Sequence, residues 1–73
     1  MLLFERHQLA EAIAHLTDAT RLAPRSATAH AALGGALGQA GRLNEAVTYL
    51  ERALTLDPSN TAARENLSRI NRK

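Results

Sequence analysis

Two stretches of the chain carry apolar residues at steps of three and four, the spacing that gives a helix one apolar face. No stretch shows the strict alternation of apolar and polar residues that is typical of a half-buried strand. The pattern therefore predicts an all-α protein with helices near residues 8–22, 27–40, 43–56 and 61–71. The two apolar faces are formed by Leu9, Ala12, Ile13, Leu16 and Ala19, and by Leu43, Ala46, Val47, Leu50 and Ala53.

The predicted helix ends carry residues with restricted backbone preferences. Pro24 and Pro58 disfavour helical dihedrals in the residue before them, so each is expected to end a helix. Ser26 and Asn60 follow at positions where a side-chain oxygen can cap the next helix. Gly41 is placed for the left-handed turn that commonly ends a helix, so we expect it to close the second one.

The chain repeats itself with a period of 34 residues. Seven residues of the first apolar stretch and its flanks recur unchanged 34 positions later, and two further identities follow in the next segment. Such a period is typical of stacked helical repeats, in which each unit buries its apolar face against a neighbour. The identical pairs are Leu9/Leu43, Glu11/Glu45, Ala12/Ala46, Leu16/Leu50, Ala19/Ala53, Leu22/Leu56, Pro24/Pro58, Ala29/Ala63 and Leu33/Leu67.

The central unit resembles a tetratricopeptide repeat, on the residues His30-x2-Leu33-Gly34-x2-Leu37, Gly41, and Ala46-x3-Leu50-x2-Ala53-x4-Pro58. It departs from the family pattern where His30, Leu37 and Leu50 replace the usual Trp, Tyr and Phe. The resemblance implies antiparallel helix-turn-helix repeats that form a fragment of a right-handed α-solenoid. It also implies a division of the single domain into the second half of a preceding repeat (1–24), a complete repeat (27–60) and a C-terminal capping helix (61–73).

Small residues are predicted where helices cross closely. Gly34, Ala46 and Ala53 occupy positions at which a larger side chain would push antiparallel helices apart. Gly34, Gly35 and Gly38 would each cost about 1 kcal/mol relative to alanine in an isolated helix. The second helix is therefore expected to depend on packing against its neighbours.

The resemblance implies a protein–protein interaction scaffold with a concave face lined by the first helix of each repeat. Chaperone-binding members of the family hold a terminal carboxylate with Lys and Asn, and Ala31 and Gly35 at the matching positions cannot do so. A smooth Ala/Gly surface suits a packed helix or an apolar segment, with arginines available for acidic groups on a peptide or protein partner. The residues expected on this face are Thr28, Ala31, Gly35, Gly38, Ala62, Glu65, Arg69 and Arg72.

Catalytic, cofactor and metal sites have no candidate residues. The sequence has no cysteine, and His7, His15 and His30 are not spaced as metal ligands. No serine, histidine and acid suggest a nucleophile with its base, and the glycine-rich residues 34–41 lack the Gly-Lys-Ser/Thr ending of a phosphate loop. We therefore expect a protein that is not an enzyme, and the absence of cysteine leaves its compartment open.

Nucleic acid and membrane are not expected as partners. The basic excess is confined to residues 64–73, and four charges with few aromatic residues make a thin phosphate footprint. Glu65 and Arg69 have the spacing of a surface ion pair. The longest Ala/Leu/Gly stretch, 31–38, is far shorter than the roughly 20 residues of a membrane span.

Self-association is a further expectation, because a chain of 73 residues forms only a small core. His7 stands where a turn-forming glycine would be, so the first helix can run unbroken from about residue 2 to 22. A homodimer through this helix, or an exchange of the first helix between two chains, would cover its apolar face, and self-assembly is then an alternative function. The other alternative is a monomer with a frayed first helix. The residues expected at the dimer interface are Leu3, Phe4, Leu9, Ile13 and Leu16.

Overall fold

Four helices make up the part of the chain that the computed structural model describes, the backbone of residues 3–71 and the side chains of residues 5–71. They are α1 (Leu3–Leu22), α2 (Ala27–Gln39), α3 (Leu43–Leu56) and α4 (Thr61–Asn71). The predicted all-α fold is confirmed, and α2 to α4 begin and end within one residue of the prediction. α1 begins five residues before the predicted position 8. His7 lies inside this helix, so the unbroken first helix is the form that the structure takes.

Gly41 closes α2 as the sequence predicts. Its φ is +81°, in the left-handed region that glycine adopts without a steric penalty. The amide of Gly41 donates to the carbonyl of Gly38 at 3.1 Å, and the amide of Arg42 donates to the carbonyl of Leu37 at 2.9 Å. Together these two bonds form a Schellman motif, which satisfies carbonyl groups that the helix end would otherwise leave unpaired.

The 34-residue period extends to the hydrogen bonds in the segments that connect the helices. The side chain of Ser26 accepts from the amide of Ala29 at 3.1 Å, and that of Asn60 accepts from the amide of Ala63 at 2.9 Å. Both predicted N-caps are confirmed. A backbone bond of each capping residue is repeated as well. The Ser26 amide donates to the carbonyl of Ala23, and the Asn60 amide donates to the carbonyl of Asp57, each at 3.0 Å.

The core lies on both sides of α2, which packs against each of the other three helices. A Cβ atom added to Gly34 would lie 2.6 Å from the side chain of Leu50 and 3.2 Å from the carbonyl of Ala46. The predicted close crossing is therefore confirmed, because only glycine lets α2 and α3 approach this far. The apolar side chains with at most 2% exposure are Ala31, Leu33, Leu37, Ala46, Leu50, Ala53 and Ala63.

His30 is a polar residue within this core, with 2% of its surface exposed. Its Nδ1 lies 2.9 Å from the carbonyl oxygen of Ser26. Since a carbonyl can only accept, Nδ1 carries a proton and donates it. The imidazole ring also lies 6.0 Å from the ring of Tyr49, between centroids. The hydrogen bond satisfies one ring nitrogen of a histidine in a position where the family pattern favours tryptophan.

The apolar face of α1 is less covered than that of α3. Ala12, Leu16 and Ala19 are half-buried, and Ile13 and Leu16 pack against the core cluster of Leu33, Leu37 and Ala46. Ile13 and Leu16 were expected to face a second chain, and the structure uses at least part of these side chains within the molecule. The side chains of Leu3 and Phe4 lie outside the described residues.

Candidate binding groove

A groove of about 730 Å³ runs over α2 between α1 and α4, and we call it the α2–α4 groove. Its floor consists of small residues on α2, which leave the helix backbone close to the surface. One wall is formed by α4 and carries the polar side chains Asn66 and Arg69. The principal lining residues are Leu9, Ala12, Ala32, Gly35, Ala36, Gly38, Gln39, Ala62, Asn66, Arg69 and Ile70.

The groove brings together only part of the predicted set. Gly35, Gly38, Ala62 and Arg69 line it. Ala31 borders it with only 2% exposure, and packs in one cluster with residues of α3 and α4. The predicted residue Arg72 lies outside the described residues.

At two of the four predicted positions of α2, the exposed residue is the next one along the helix. Ala32 and Gln39 are exposed and line the groove, whereas Ala31 is buried and Gly38 is half-buried. Thr28 is exposed but does not line the groove. The helical period allowed either register, and the crossing of α4 over Ala31 decides between them.

Asn66 is a polar groove residue that the sequence prediction missed. A Cβ atom on Gly35 would lie 3.1 Å from the Nδ2 atom of Asn66, so the half-buried amide side chain rests against the α2 backbone. Arg69 donates a hydrogen bond to Oδ1 of Asn66. This bond orients the amide with its NH₂ group toward Gly35. The sequence does contain an indication of this role. Asn66 lies 34 residues after Ala32, so it occupies the same position in the repeat, and it precedes Arg69 by one helical turn.

Glu65 lies on a different side of α4. A second, shallow depression of about 840 Å³ is lined by Thr61, Arg64, Glu65, Ser68 and Arg69. Arg69 therefore borders both this depression and the α2–α4 groove. The expected pair between Glu65 and Arg69 does not form, since Arg69 hydrogen-bonds Asn66 instead. The Arg69 guanidinium is exposed, which leaves its other N–H groups accessible from the groove.

Among the described residues, no cluster of reactive side chains lies near the groove. Within residues 3–71, no three side chains of His, Asp or Glu lie together as a metal site requires. His7 lies on α1, where its Nε2 is 3.2 Å from a carboxylate oxygen of Glu11, and His30 lies in the core. None of the four helices, over the residues described, is long and apolar enough to cross a membrane.

The comparisons with known proteins agree with the helix arrangement. A family model described as tetratricopeptide repeat matches residues 1–61 and, a second time, residues 36–72. No curated protein shows a significant match to the chain. Repeats of this kind generally mediate protein–protein interactions and form scaffolds without catalytic function. Together the two matches span nearly all 73 residues. The chain belongs to the tetratricopeptide repeat family.

Proposed function

We propose that the α2–α4 groove binds an extended peptide segment of a partner protein. The observation that carries the proposal is the placement of Asn66 and Arg69 beside a floor made of glycine and alanine. A floor without large side chains lets a second backbone approach closely. The neighbouring polar groups supply the directional hydrogen bonds that a peptide in a shallow groove needs for orientation.

The groove residues define the chemistry of the ligand. The amide NH₂ of Asn66 can donate to a peptide carbonyl, and the guanidinium of Arg69 can pair with a carboxylate. Small or apolar ligand residues fit over Gly35, where a bulky side chain would meet the Asn66 amide. We therefore expect ligands that carry small residues beside an acidic one. A clamp for a terminal carboxylate is not part of the proposal, since Ala31 and Gly35 offer no cationic or amide group.

The division of the chain into repeats belongs to the same proposal. Residues 1–24 act as the second half of a preceding repeat, 27–60 as a complete repeat and 61–73 as a capping helix. The repeated caps and turns at Ser26 and Asn60 support this division. The exposed residues Arg64, Ser68 and Asn71 support the capping role, because they replace the buried His30, Gly34 and Leu37.

The proposal is tested by selecting ligands from a library of random peptides of about ten residues. A peptide of that length spans about 33–36 Å when extended, which matches the longest dimension of the molecule, 35 Å. Selection on the immobilised wild-type chain should enrich peptides with small residues beside Asp or Glu. Charge reversal by Arg69→Glu should weaken these peptides by about tenfold or more and make the remaining affinity less sensitive to salt.

Two further variants separate the groove from a general charge effect. Gly35→Leu should obstruct the floor and reduce binding of neutral peptides as well. Arg52→Glu is the matched control, because Arg52 is exposed on α3 and does not line the groove. Equal affinity of the enriched peptides for the wild-type chain, Arg69→Glu and Gly35→Leu would place the binding site elsewhere and contradict the proposal.

A further inference from the structure

We propose that the peptide bound in the α2–α4 groove continues into a second, cationic subsite at the end of α2, which takes another acidic side chain of the same ligand. The subsite rests on the peptide-binding function proposed above, and it defines the ligand as a segment with two acidic residues about four positions apart. It is a cleft of about 600 Å³ between α1 and the α2–α3 turn, and we call it the turn cleft. Its principal lining residues are Arg6, Leu9, Ala10, Ile13, Gln39 and Arg42.

The turn cleft is continuous with the α2–α4 groove. Leu9, Gln39 and Gly41 line both, so the two depressions adjoin at the C-terminal end of α2. No atom lies within 4 Å of a Cβ atom added at Gly41, so the space over the turn is open. A peptide that lies along α2 past Gly35 and Gly38 therefore reaches the turn cleft.

The charge of the turn cleft suits an acidic group. Among the described residues, its charged side chains are two arginines, and no acid lines it. Arg6 is exposed and makes no ion pair with the side chains of residues 5–71. Arg42 donates from Nε and Nη2 to Glu45, which leaves its other N–H groups for a second acceptor. Guanidinium groups placed in this way can hold a carboxylate through charge-assisted hydrogen bonds.

The floor of the turn cleft favours glutamate over aspartate. Leu9 and Ile13 are half-buried and Ala10 is exposed, so the surface below the arginines is apolar. A glutamate side chain can cover part of this surface with its methylene groups while its carboxylate reaches Arg6. The exposed amide of Gln39 can hydrogen-bond the ligand backbone at the point where the two depressions adjoin.

The distance from Arg69 to the turn cleft sets the spacing of the two acids. Gln39 lies about 6 Å beyond Gly35 along the helix axis. Crossing from the α4 wall to the α1 wall adds roughly one interaxial distance, about 8–10 Å. The resulting span of about 10–12 Å corresponds to three to four residues of extended chain. Because side chains i and i+4 of an extended chain point to the same face, the expected ligand pattern is Glu-x3-Glu with small residues between the acids.

The test uses synthetic peptides of about ten residues, built from Ala, Gly and Ser, that carry one Glu, Glu-x3-Glu or two adjacent Glu residues. Blocked termini remove the terminal charges. Titration of the full chain followed by NMR gives the affinities. The spaced peptide should bind about fivefold more tightly than the single-Glu peptide, and it alone should shift the amide signals of Ala10 and Gly41. The adjacent pair has the same net charge and should gain about twofold or less.

Variants of Arg6 locate the second contact. Arg6→Gln should remove the fivefold gain and leave the affinity of the single-Glu peptide unchanged, whereas Arg6→Lys should keep part of the gain because it keeps the charge. Arg25→Gln is the matched control, since Arg25 is exposed and lines neither depression. It should leave the gain unchanged.

The outcomes separate the subsite from the groove. A spaced peptide that gains nothing, or a gain that survives Arg6→Gln, overturns the subsite while the groove stands, provided that Arg69→Glu still weakens the single-Glu peptide. Equal gains for the spaced and the adjacent pair would assign the effect to net charge and overturn the subsite as well. If none of the peptides binds the wild-type chain, or if Arg69→Glu changes no affinity, the groove proposal fails and the subsite fails with it.

Discussion

The helices α1 and α3 carry the same apolar pattern in the same register, yet they are buried to different degrees. Ala46, Leu50 and Ala53 of α3 have no exposed surface, whereas their counterparts Ala12, Leu16 and Ala19 of α1 are half-buried. The exposed leucines at the helix ends differ in the same direction, with 87% exposure for Leu22 and 38% for Leu56. In a repeat protein, burial is therefore a property of the neighbours a helix has and not of its own sequence.

This difference has a consequence for local stability. α3 is held by α2 and α4 through fully buried side chains, while α1 packs chiefly on α2. Free energies of local opening follow the amount of apolar surface that a segment buries. We therefore expect α1 to open more often than α3, and amide hydrogens of α1 to exchange faster.

The largest expected difference between the two helices is the effect of truncating their central leucines. Leu50→Ala should lower the free energy of unfolding by about 3 kcal/mol, because it leaves a cavity beside Gly34 in a fully buried site. Leu16→Ala should lower it by about 1.5 kcal/mol, since part of that side chain already contacts solvent. Urea denaturation monitored by circular dichroism gives both values. Equal losses would mean that the apolar face of α1 is covered in solution.

The sequence predicts those parts of the fold that depend on short-range rules. The caps at Ser26 and Asn60 and the turn at Gly41 are local patterns, and the structure confirms each of them. The crossing at Gly34 joins two helices; it was predicted from the small size of the residue and is confirmed as well. The start of α1 was less determined. Residues 3–7 can extend a helix or leave it, and what decides is the absence of a turn-forming residue at His7.

The groove could be predicted only in part, because its lining depends on how two helices cross. Ala31 and Ala32 are equivalent by composition, and the contact of α4 buries the first and leaves the second exposed. The role of Asn66 depends on a distance of a few ångströms from a glycine on another helix. No periodic pattern encodes that distance, so side-chain placement between helices has to come from the structure.

Gly41 and His7 lie 34 residues apart, at the turn position of the repeat. Substitutions of these two residues test why α1 is a single helix whereas α2 and α3 are separate helices. Gly41→Ala should lower the free energy of unfolding by about 1 kcal/mol, because the φ of +81° is unfavourable for a residue with a Cβ atom. His7→Gly should lower it by somewhat less than 1 kcal/mol, since glycine weakens a helix near its end. Chemical denaturation of both variants provides the measurement.

The control for the turn is Gly41→Asn. Asparagine adopts the left-handed conformation more readily than alanine, so this variant should lose less stability than Gly41→Ala. No atom lies within 4 Å of a Cβ added at Gly41, and steric contacts therefore do not complicate the comparison. If alanine and asparagine were equally unfavourable, backbone conformation would not explain the turn.

The smallest expected difference concerns Glu45 and its counterpart Glu11, which have different partners. Arg42 donates two hydrogen bonds to the Glu45 carboxylate, at 2.7 and 2.8 Å, and these bonds lower the pKa of that carboxyl. Glu11 lies beside His7, with 3.2 Å between the two side chains. An imidazole is charged only when it is protonated, whereas a guanidinium is always charged. Glu45, in the first turn of α3, thus has a permanently charged partner, whereas Glu11, in the interior of α1, does not.

Replacing Glu45 with glutamine should lower stability slightly near pH 7, and this loss should shrink as the pH falls below the ordinary pKa of glutamate. The sign follows from linkage, because a carboxyl whose pKa is lower in the folded state stabilises the fold only while it is ionised. That contribution is present above the ordinary pKa of glutamate, about 4.3. It is lost as the pH falls through the lower pKa of the folded state. Urea midpoints of the wild-type chain and Glu45→Gln should therefore converge in acid.

Both side chains of the pair are exposed, so added salt near neutral pH should also reduce the difference. Glu51→Gln, an exposed substitution on the same helix, is the control, and a similar pH dependence for it would assign the effect to net charge rather than to the Arg42 pair.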